Sequence, residues 1–453
     1  MSTKDYITTL LDMEDIIVKN IEEDAREITI ELELQQRVQL CPACGAGTSR
    51  VHDYHNRTIR DLDLRGKRAT LHYRRRRYLC PECGKRFPEK CSFAGRYQRF
   101  THRVAVKTVD LLRRRSSLKA VAEATGTSLS GVNRILNTLT VPKPEALPDA
   151  ISFDEFRGNL GGERFQCIVT DPLNRLVLDI LPKRTVESMQ DYLRSFPNRS
   201  EVRYVVMDMN RGFRDVARTF FPNAKIIIDR FHVVRFCTQA MDDVRKSVQK
   251  QLSDGQRRYF KRSRRLLLRH RDELSDEDRA ALDVMLRFSD RLAQGYALKE
   301  AFYHFMAAPD RIEAGRRLDF WLDACDRLQL PEFMPCRKML RNWRDSILNA
   351  FDVRLSNGFT EGCNNAIKTL KRASFGCQNF SRFRKRVLLS FSLHRDLIQS
   401  HFLWFIFPFD RVCAQKVAMS RKKRRPKNVS SLNPATTYSP GPLPAKYHQR
   451  AEA

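Results

Sequence analysis

The chain has 453 residues, and its 83 Lys and Arg side chains outnumber 53 Asp and Glu side chains, which gives a formal net charge of +30. Such a surplus repels itself unless a polyanion is bound, so it favours a nucleic-acid partner, with an anionic membrane surface as the alternative. No apolar run reaches the roughly 18 residues that span a bilayer, and residues 1–23 are acidic, unlike a signal peptide. We therefore expect a cytoplasmic protein, in which 12 cysteines indicate metal ligation or buried thiols instead of disulfides.

Two copies of a cysteine knuckle follow residues 25–41, whose apolar and polar side chains alternate as in a β-strand. The knuckles are Cys41-Pro-Ala-Cys44-Gly and Cys80-Pro-Glu-Cys83-Gly. Two residues between paired cysteines allow both thiolates to reach one tetrahedral ion, so the two knuckles predict one closed, structural Zn²⁺ site. Strand-like alternation between the knuckles predicts a hairpin there. Other nitrogen or sulfur donors of this region are alternative ligands, namely His52, His55 and Cys91.

A run of four arginines lies just before the second knuckle, and it comprises Arg74, Arg75, Arg76 and Arg77. Because phosphate contacts are made mainly by Lys and Arg, we interpret the run as a surface that contacts DNA phosphates. A solvated run of charge without a ligand is the alternative.

From about Thr101 to Leu139 the apolar residues recur with a helical period. Residues 117–136 are typical of a helix-turn-helix, with Gly126 at the turn and Ser128 as the cap of the second helix. An ordinary helical hairpin is the alternative. The side chains that this interpretation directs toward a DNA major groove are Ser128, Ser130, Asn133 and Arg134.

Three prolines between residues 142 and 148 indicate a linker, and a mixed α/β pattern follows it. Three strand-like runs, at 151–156, 165–170 and 176–181, predict an antiparallel meander. Helices at 186–196 and 213–221 then alternate with strands at 202–207 and 225–228. The pattern of residues 232–349 predicts helices throughout. From Arg421 the chain is rich in Pro, Ser, Lys and Arg, which predicts a disordered tail.

Three acids on separate elements are candidate ligands of catalytic metal ions: Asp154 in the first strand, Asp208 after the fourth, and Glu361 at a helix start. Two ions about 4 Å apart require such carboxylates. On that helix Asn364 and Lys368 share a face with Glu361, so we expect both to contact the DNA. A cap or turn role is the alternative for a lone strand-end acid. Glu155 and Asp229 are alternative candidates for these ligand positions. The spacing of the residues does not decide between Asp154 and Glu155.

Several ordered motifs together resemble the DDE-type insertion-sequence transposases of the "ISL-three" group. The resemblance covers Cys41 to about Leu397 and rests on the knuckles, the helix-turn-helix and four further motifs. These are Asp154-Glu155-Phe156, Val206-Met207-Asp208, Asp229-Arg230-Phe231-His232-Val233 and Ser356-Asn357-Gly358 through Glu361, Asn364 and Lys368. It implies a ribonuclease H-like catalytic domain with a helical insertion. It also implies that the three catalytic acids are Asp154, Asp208 and Glu361, holding two Mg²⁺ or Mn²⁺ ions, and that His232 lies near them, in contact with substrate or in a structural role.

The prediction is therefore a multidomain α+β protein that cleaves and joins DNA at insertion-sequence ends by cut-and-paste transposition. We expect it to bind terminal inverted repeats and target DNA as a homodimer associated with the nucleoid. No nucleotide cofactor is expected, since no GxxxxGK[ST] loop occurs. A non-catalytic DNA-binding regulator derived from a transposase is the alternative. The predicted segments are an N-terminal segment (1–23), a zinc-binding module (24–98), the helix-turn-helix (99–140), a linker (141–150), the catalytic domain (151–231 and 350–400), its helical insertion (232–349) and a basic tail (410–453).

Overall fold

The computed structural model describes residues 15–391 together with Leu11 and Met13, except residues 96, 142, 261–262, 354 and 375–377. The predicted basic tail and the last residues of the segment 350–400 lie outside the described residues. Within the described part of the chain, no helix is both long and apolar enough to cross a membrane.

A five-stranded sheet carries the two cysteine knuckles, with strand order β1-β2-β6-β5 and with β7 paired to β6. A separate two-stranded ribbon, β3-β4, lies at the first knuckle. The strands are β1 (Ile16–Glu23), β2 (Glu27–Leu34), β3 (Gln39–Leu40), β4 (Gly47–Thr48), β5 (Val51–Arg60), β6 (Arg68–Leu79) and β7 (Arg86–Pro88). The hairpin predicted between the knuckles is confirmed, since β5 and β6 pair antiparallel.

The predicted boundary between residues 23 and 24 requires correction, because it separates two paired strands. Ile16 lies opposite Leu34, and Glu23 lies opposite Ile28. Ile16 is buried in the same apolar cluster as Leu34. Residues 16–23 therefore belong to the sheet of the zinc module. The acidic side chains in this segment are on its exposed positions, which concealed a short strand in the sequence.

Three short helices follow the sheet: α1 (His102–Arg113), α2 (Leu118–Thr125) and α3 (Leu129–Thr138). The hydroxyl of Ser117 accepts from the backbone of Ala120, and that of Ser128 accepts from Gly131, so both α2 and α3 have capped N-termini. Gly126 ends α2 at φ 61°, where an L side chain is strained. The helical period of 101–139 is confirmed, and α2 and α3 form the helical pair that the sequence predicted.

The second sheet has five strands in the order β10-β9-β8-β11-β12. Strands β8, β9 and β10 pair antiparallel, whereas β11 is parallel to both β8 and β12. The predicted meander and mixed sheet are confirmed. The elements, in chain order, are β8 (Ala150–Phe156), β9 (Gln166–Asp171), β10 (Leu176–Leu181), α4 (Val186–Arg194), β11 (Tyr204–Met207), α5 (Arg211–Phe220) and β12 (Lys225–Ile228).

The remaining elements among the described residues up to Phe391 are helices joined by short loops. They are α6 (Arg230–Gln251), α7 (Asp254–Phe260), α8 (Ser263–Leu268), α9 (Asp276–Leu286), α10 (Asp290–Met306), α11 (Arg311–Leu328), α12 (Met334–Asn342), α13 (Arg344–Asp352), α14 (Gly358–Ala373) and α15 (Phe380–Phe391). No strand interrupts the described residues between α6 and α13, as predicted for the insertion.

Alternate residues of β8 face opposite sides of the second sheet, which therefore lies between two helical layers. Phe153 packs in the core that contains α4, α5 and α6. Phe156 packs on the other side with Ile367 of α14 and Phe383 of α15. Since neighbouring residues of a strand point to opposite faces, Asp154 faces the α14 side and Glu155 the α5 side.

Candidate functional site

Three carboxylates lie at one level across neighbouring parallel strands. Phe153 of β8 pairs with Met207 of β11, and Met207 in turn pairs with Ile228 of β12. Asp154, Asp208 and Asp229 each come one residue after that row. Because β8, β11 and β12 run in the same direction, the three acids meet near the carboxyl ends of β11 and β12.

Asp154 is a buried carboxylate held by two donors. Its side chain is 8% exposed. One oxygen accepts from the backbone of Glu155 at 2.7 Å, and Oδ2 accepts from the Asn364 amide at 2.7 Å. Burial, followed by the nearby negative charge of Asp208, raises the pKa of Asp154 to about 7. A carboxylate placed beside a second carboxylate in a poorly hydrated site has the chemistry expected of a divalent-cation ligand.

His232, in the first turn of α6, contacts the other two carboxylates of this row. Its Nδ1 lies 2.9 Å from Asp208 Oδ1 and 3.5 Å from Asp229 Oδ2. The contact with Asp208, ahead of the contact with Asp229, raises the pKa of His232 to about 10. The raised pKa favours the protonated imidazole, which forms an ion pair with the Asp208 carboxylate. Sequence analysis left its role open between substrate contact and structure.

Buried polar contacts fix the start of α14 on the second sheet. The backbone N–H of Asn357 donates to Asp229 Oδ1 at 3.4 Å, and the Asn357 side chain contacts the Ser152 hydroxyl. Further along the helix, the Thr360 hydroxyl lies 2.8 Å from that of Thr170. Each of these groups is less than a tenth exposed. The helix that carries Glu361 is thus held against the strand that carries Asp154.

Glu361 itself has an exposed side chain in the first turn of α14. It precedes Asn364 by three residues, so the two share a helix face. Among the described residues, only four cysteines bring three or more candidate ligand atoms within 4.8 Å of one another. The carboxylates of Asp154, Asp208 and Glu361 therefore do not all lie within 4.8 Å of one another. Asp154 and Asp208 follow paired residues of the neighbouring strands β8 and β11.

Asn364 differs from its predicted role. It was expected to contact DNA, but it is 5% exposed and its amide is engaged with Asp154. That prediction is wrong because Asn364 lies on the apolar face of α14, between buried Cys363 and Ile367. The same spacing was visible in the sequence and could have identified a buried amide. Lys368 is exposed to solvent, and its ammonium group donates to Asn365 Oδ1 at 3.3 Å.

Glu155, the competitor of Asp154, points to the opposite face of β8. Its carboxylate forms an ion pair with Arg184 at 2.5 Å. A cavity of about 240 Å³ opens on this side beside Asp208 and His232, and Glu155, Asn210 and Phe236 also line it.

The four knuckle cysteines converge as predicted. Their sulfur atoms lie within 4.8 Å of one another, with Cys41 to Cys83 and Cys44 to Cys80 each at 3.5 Å. A tetrahedral Zn²⁺ with Zn–S bonds of about 2.3 Å requires sulfur atoms about 3.8 Å apart, so the four thiolates fit the ion. The alternative ligands His52, His55 and Cys91 do not join this cluster.

The arginine run needs correction at two of its four positions. Arg76 is 5% exposed, and its guanidinium lies 2.8 Å from Glu33 and 3.4 Å from Glu89. Arg75 is 9% exposed and donates to the backbone oxygen of Glu89 at 2.7 Å. The sequence did not reveal these partners because Glu33 is 43 residues from Arg76. Arg74 and Arg77 keep side chains that are 55% and 43% exposed, each with an acidic partner.

The predicted recognition face of α3 is largely exposed. Ser128, Ser130 and Arg134 are exposed and Asn133 is half-buried, while Val132 and Ile135 are buried against the neighbouring helices. The geometry agrees with a helix whose outer face is open to a partner. DNA contact by these four residues stays a prediction.

Two family models match the chain. Residues 151–387 match a DDE-type model of the ISL3 group described as "Transposase", and residues 37–83 match the "zinc-finger of transposase IS204/IS1001/IS1096/IS1165". The chain is 29% identical over 379 residues to the transposase for insertion sequence element IS1001 of Bordetella parapertussis, which covers 82% of this chain and 93% of that relative. It is 26% identical over 222 residues to the transposase for insertion sequence element IS1557 of Mycobacterium tuberculosis, covering 44% of this chain and 50% of that relative.

Proposed function

Since this chain belongs to the DDE transposases of the ISL3 group, we propose that Asp154, Asp208 and Glu361 hold the divalent cations of its strand-cleavage and strand-transfer reactions. The observation that carries this proposal is the buried Asp154 beside Asp208, with a pKa raised to about 7. A cation between such carboxylates offsets the repulsion that otherwise favours protonation.

Asp154, Asp208 and Glu361 would hold Mg²⁺ or Mn²⁺, and the ions would supply activation of a water or 3′-hydroxyl nucleophile and stabilisation of the leaving oxygen. The chain's own residues prepare the site for this chemistry. Asn364 holds Asp154 in place, and His232 orients Asp208. Glu361 faces solvent in the first turn of α14. No side chain is required as a covalent nucleophile.

We assign the second sheet to the ribonuclease H-like class. The order β10-β9-β8-β11-β12, with an antiparallel meander followed by parallel strands, supports this assignment. So does the position of the first two acids on adjacent strands, β8 and β11. The segment from α6 to α13 then stands as an insertion between the second acid and the third.

The proposed substrates are the terminal inverted repeats of an insertion sequence and a target duplex. The zinc module and helix-turn-helix recognise the ends, and the acids cut and join them. Two ends must be brought together in cut-and-paste transposition, so we propose a homodimer on DNA. Light scattering of the protein with and without end DNA measures this assembly.

Matched acid-to-amide variants test the assignment of the acids. Asp154→Asn and Glu361→Gln are expected to abolish cation-dependent cleavage of end DNA while the protein still binds that DNA. Glu155→Gln tests the competing acid, which pairs with Arg184 and lines the cavity beside Asp208. Asp191→Asn is the control, because Asp191 is an exposed acid of α4 that pairs with Arg194. Loss of cleavage in Glu155→Gln with activity retained in Asp154→Asn contradicts the assignment. Cleavage absent from the wild-type protein with every divalent cation supports a non-catalytic DNA-binding regulator instead.

A further inference from the structure

A continuous groove runs from the zinc module to the second helix of the helix-turn-helix. It consists of two adjoining cavities, of about 880 and 570 Å³, which share Arg60, Tyr97 and Arg99 in their linings. The larger cavity follows β5, which is an outer strand of its sheet. The smaller one reaches the start of α3 at Ser128 and continues to Arg134.

The lining of this groove is rich in arginine and, among the described residues, contains no carboxylate. Its arginines are Arg57, Arg60, Arg75, Arg77, Arg99 and Arg134. The acids that pair with two of them, Asp53 with Arg77 and Asp63 with Arg60, are not part of the lining. Arg75 is buried and donates to the backbone oxygen of Glu89. The other five guanidinium groups along the groove produce a positive potential that favours a polyanion.

Several of these arginines are fixed in place before any ligand binds. Arg57 donates to the backbone oxygens of Gly95 and Gln98, at 3.3 and 2.6 Å. The Arg60 guanidinium lies against Gly126, where a Cβ atom would collide with it. The backbone N–H of Thr101 donates to Arg60 O at 2.9 Å, which ties the helices to β5. The groove therefore presents its charges in a preorganised arrangement that spans both modules.

We propose that this groove binds the phosphodiester backbone of a DNA duplex, so that the zinc module and α3 contact one continuous segment of DNA. The inference rests on the proposed function, because it identifies how the transposase holds its DNA. Arginine forks match phosphate oxygens, and the N-terminus of α3 beside Ser128 adds backbone donors at one end. Such contacts set the register of the duplex on the protein, and the exposed face of α3 reads the bases.

A duplex fits this groove better than a single strand. Proteins that bind single strands stack successive bases on several aromatic side chains. Of the Tyr and Phe side chains in this lining, Tyr97 is 80% exposed and Phe100 is 8% exposed. Phosphate contacts from arginine do not require unstacked bases.

Arg99→Ala and Arg134→Ala test the proposal at the middle and one end of the groove, since both side chains are exposed. Arg26→Ala is the control, because Arg26 is an exposed arginine of the same module, outside the groove, at the turn between β1 and β2. Binding of a labelled mixed-sequence duplex is measured by fluorescence anisotropy over a range of salt. The zinc-loaded protein is used without magnesium or manganese, so that no strand is cut.

Each groove variant is expected to bind the duplex more weakly and to lower the slope of log K against log salt by about 1, and the double variant by about 2. Arg26→Ala is expected to match the wild type. Unchanged slopes in both groove variants, with unchanged thermal melting, overturn the proposal. If the groove variants lose more affinity for a single-stranded oligonucleotide than for the duplex, the proposal is also overturned, and the groove is a channel for a single strand.

Cleavage with added magnesium, measured on the same variants with end DNA, separates this inference from the proposed function. If wild-type protein binds the duplex through the groove but never cuts end DNA, the assignment of the acids fails and the groove stands. If Arg99→Ala and Arg134→Ala bind and cut DNA as the wild type does, the proposal that the groove binds DNA is wrong, and the assignment of the catalytic acids is retained.

Discussion

The side-chain amide of Asn364 donates to Oδ2 of Asp154 over 2.7 Å, between residues 210 positions apart in the chain. This contact links α14, which carries Glu361, to β8, which carries the first acid. Both residues are less than a tenth exposed, so water does not compete with the hydrogen bond. Asn364 is therefore a positioning residue for Asp154.

Removal of this amide is expected to weaken catalysis through the metal site. Groups that hydrogen-bond a metal ligand typically contribute about 10–100-fold to metal affinity or activity. We expect Asn364→Ala to lower the rate of strand cleavage by that order and to raise the magnesium concentration for half-maximal rate. DNA affinity is expected to stay unchanged. Asn365→Ala is the matched control, since Asn365 is exposed on the same helix. A lower rate with an unchanged magnesium requirement contradicts the positioning role.

The zinc site gives a second prediction. Cys80 is 1% exposed and its sulfur lies 3.5 Å from that of Cys44, whereas Cys91 lies outside the cluster. We expect Cys80→Ser to lose the bound zinc, measured by elemental analysis of the purified protein, and to lower the melting temperature of the N-terminal module. Cys91→Ser is expected to retain one zinc ion per chain. Zinc loss in Cys91→Ser instead assigns Cys91 as a ligand.

His102, the first residue of α1, gives a prediction about pH. Burial lowers the pKa of His102 to about 4 from its ordinary value of 6.5. The folded protein then binds fewer protons at this site than the unfolded chain, so the contribution to stability is present above pH 6.5 and is lost as the pH falls toward 4. We expect His102→Gln to reduce the loss of stability over this interval.

Thermal unfolding of wild type and His102→Gln, compared at the two ends of that interval, measures the effect. The difference between the two proteins removes acid effects common to both, including weaker zinc binding. An equal loss of stability in both proteins shows that His102 titrates normally in the fold.

The helices and strands around the site could be predicted from local patterns of apolar residues in the sequence. The apolar runs of β8, β9 and β11 are buried on both faces, and such runs are recognisable because helices cover both sides of the sheet. Strand β1 was missed because most of its exposed positions hold polar or charged side chains and only two of its eight residues are fully buried. Short, half-exposed strands carry a weak signal until their partner is known.

The site was harder to predict than the fold, because its contacts join distant parts of the chain. A run of four arginines indicates a charged surface, yet Arg76 is neutralised by Glu33 and Glu89 from other strands. The spacing of acids did not distinguish Asp154 from Glu155. Strand alternation and the pairing of Glu155 with Arg184 separate their environments only when the fold is known.

We propose that Asp208 belongs to the centre that cuts DNA and not to the surface that binds it. Asp208 follows β11, contacts His232 at 2.9 Å and is not among the residues that line the groove. The most direct test compares Asp208→Ala with wild-type protein for binding and for magnesium-dependent cleavage of end DNA. We expect unchanged binding and no detectable cleavage. Cleavage that survives in Asp208→Ala contradicts this proposal.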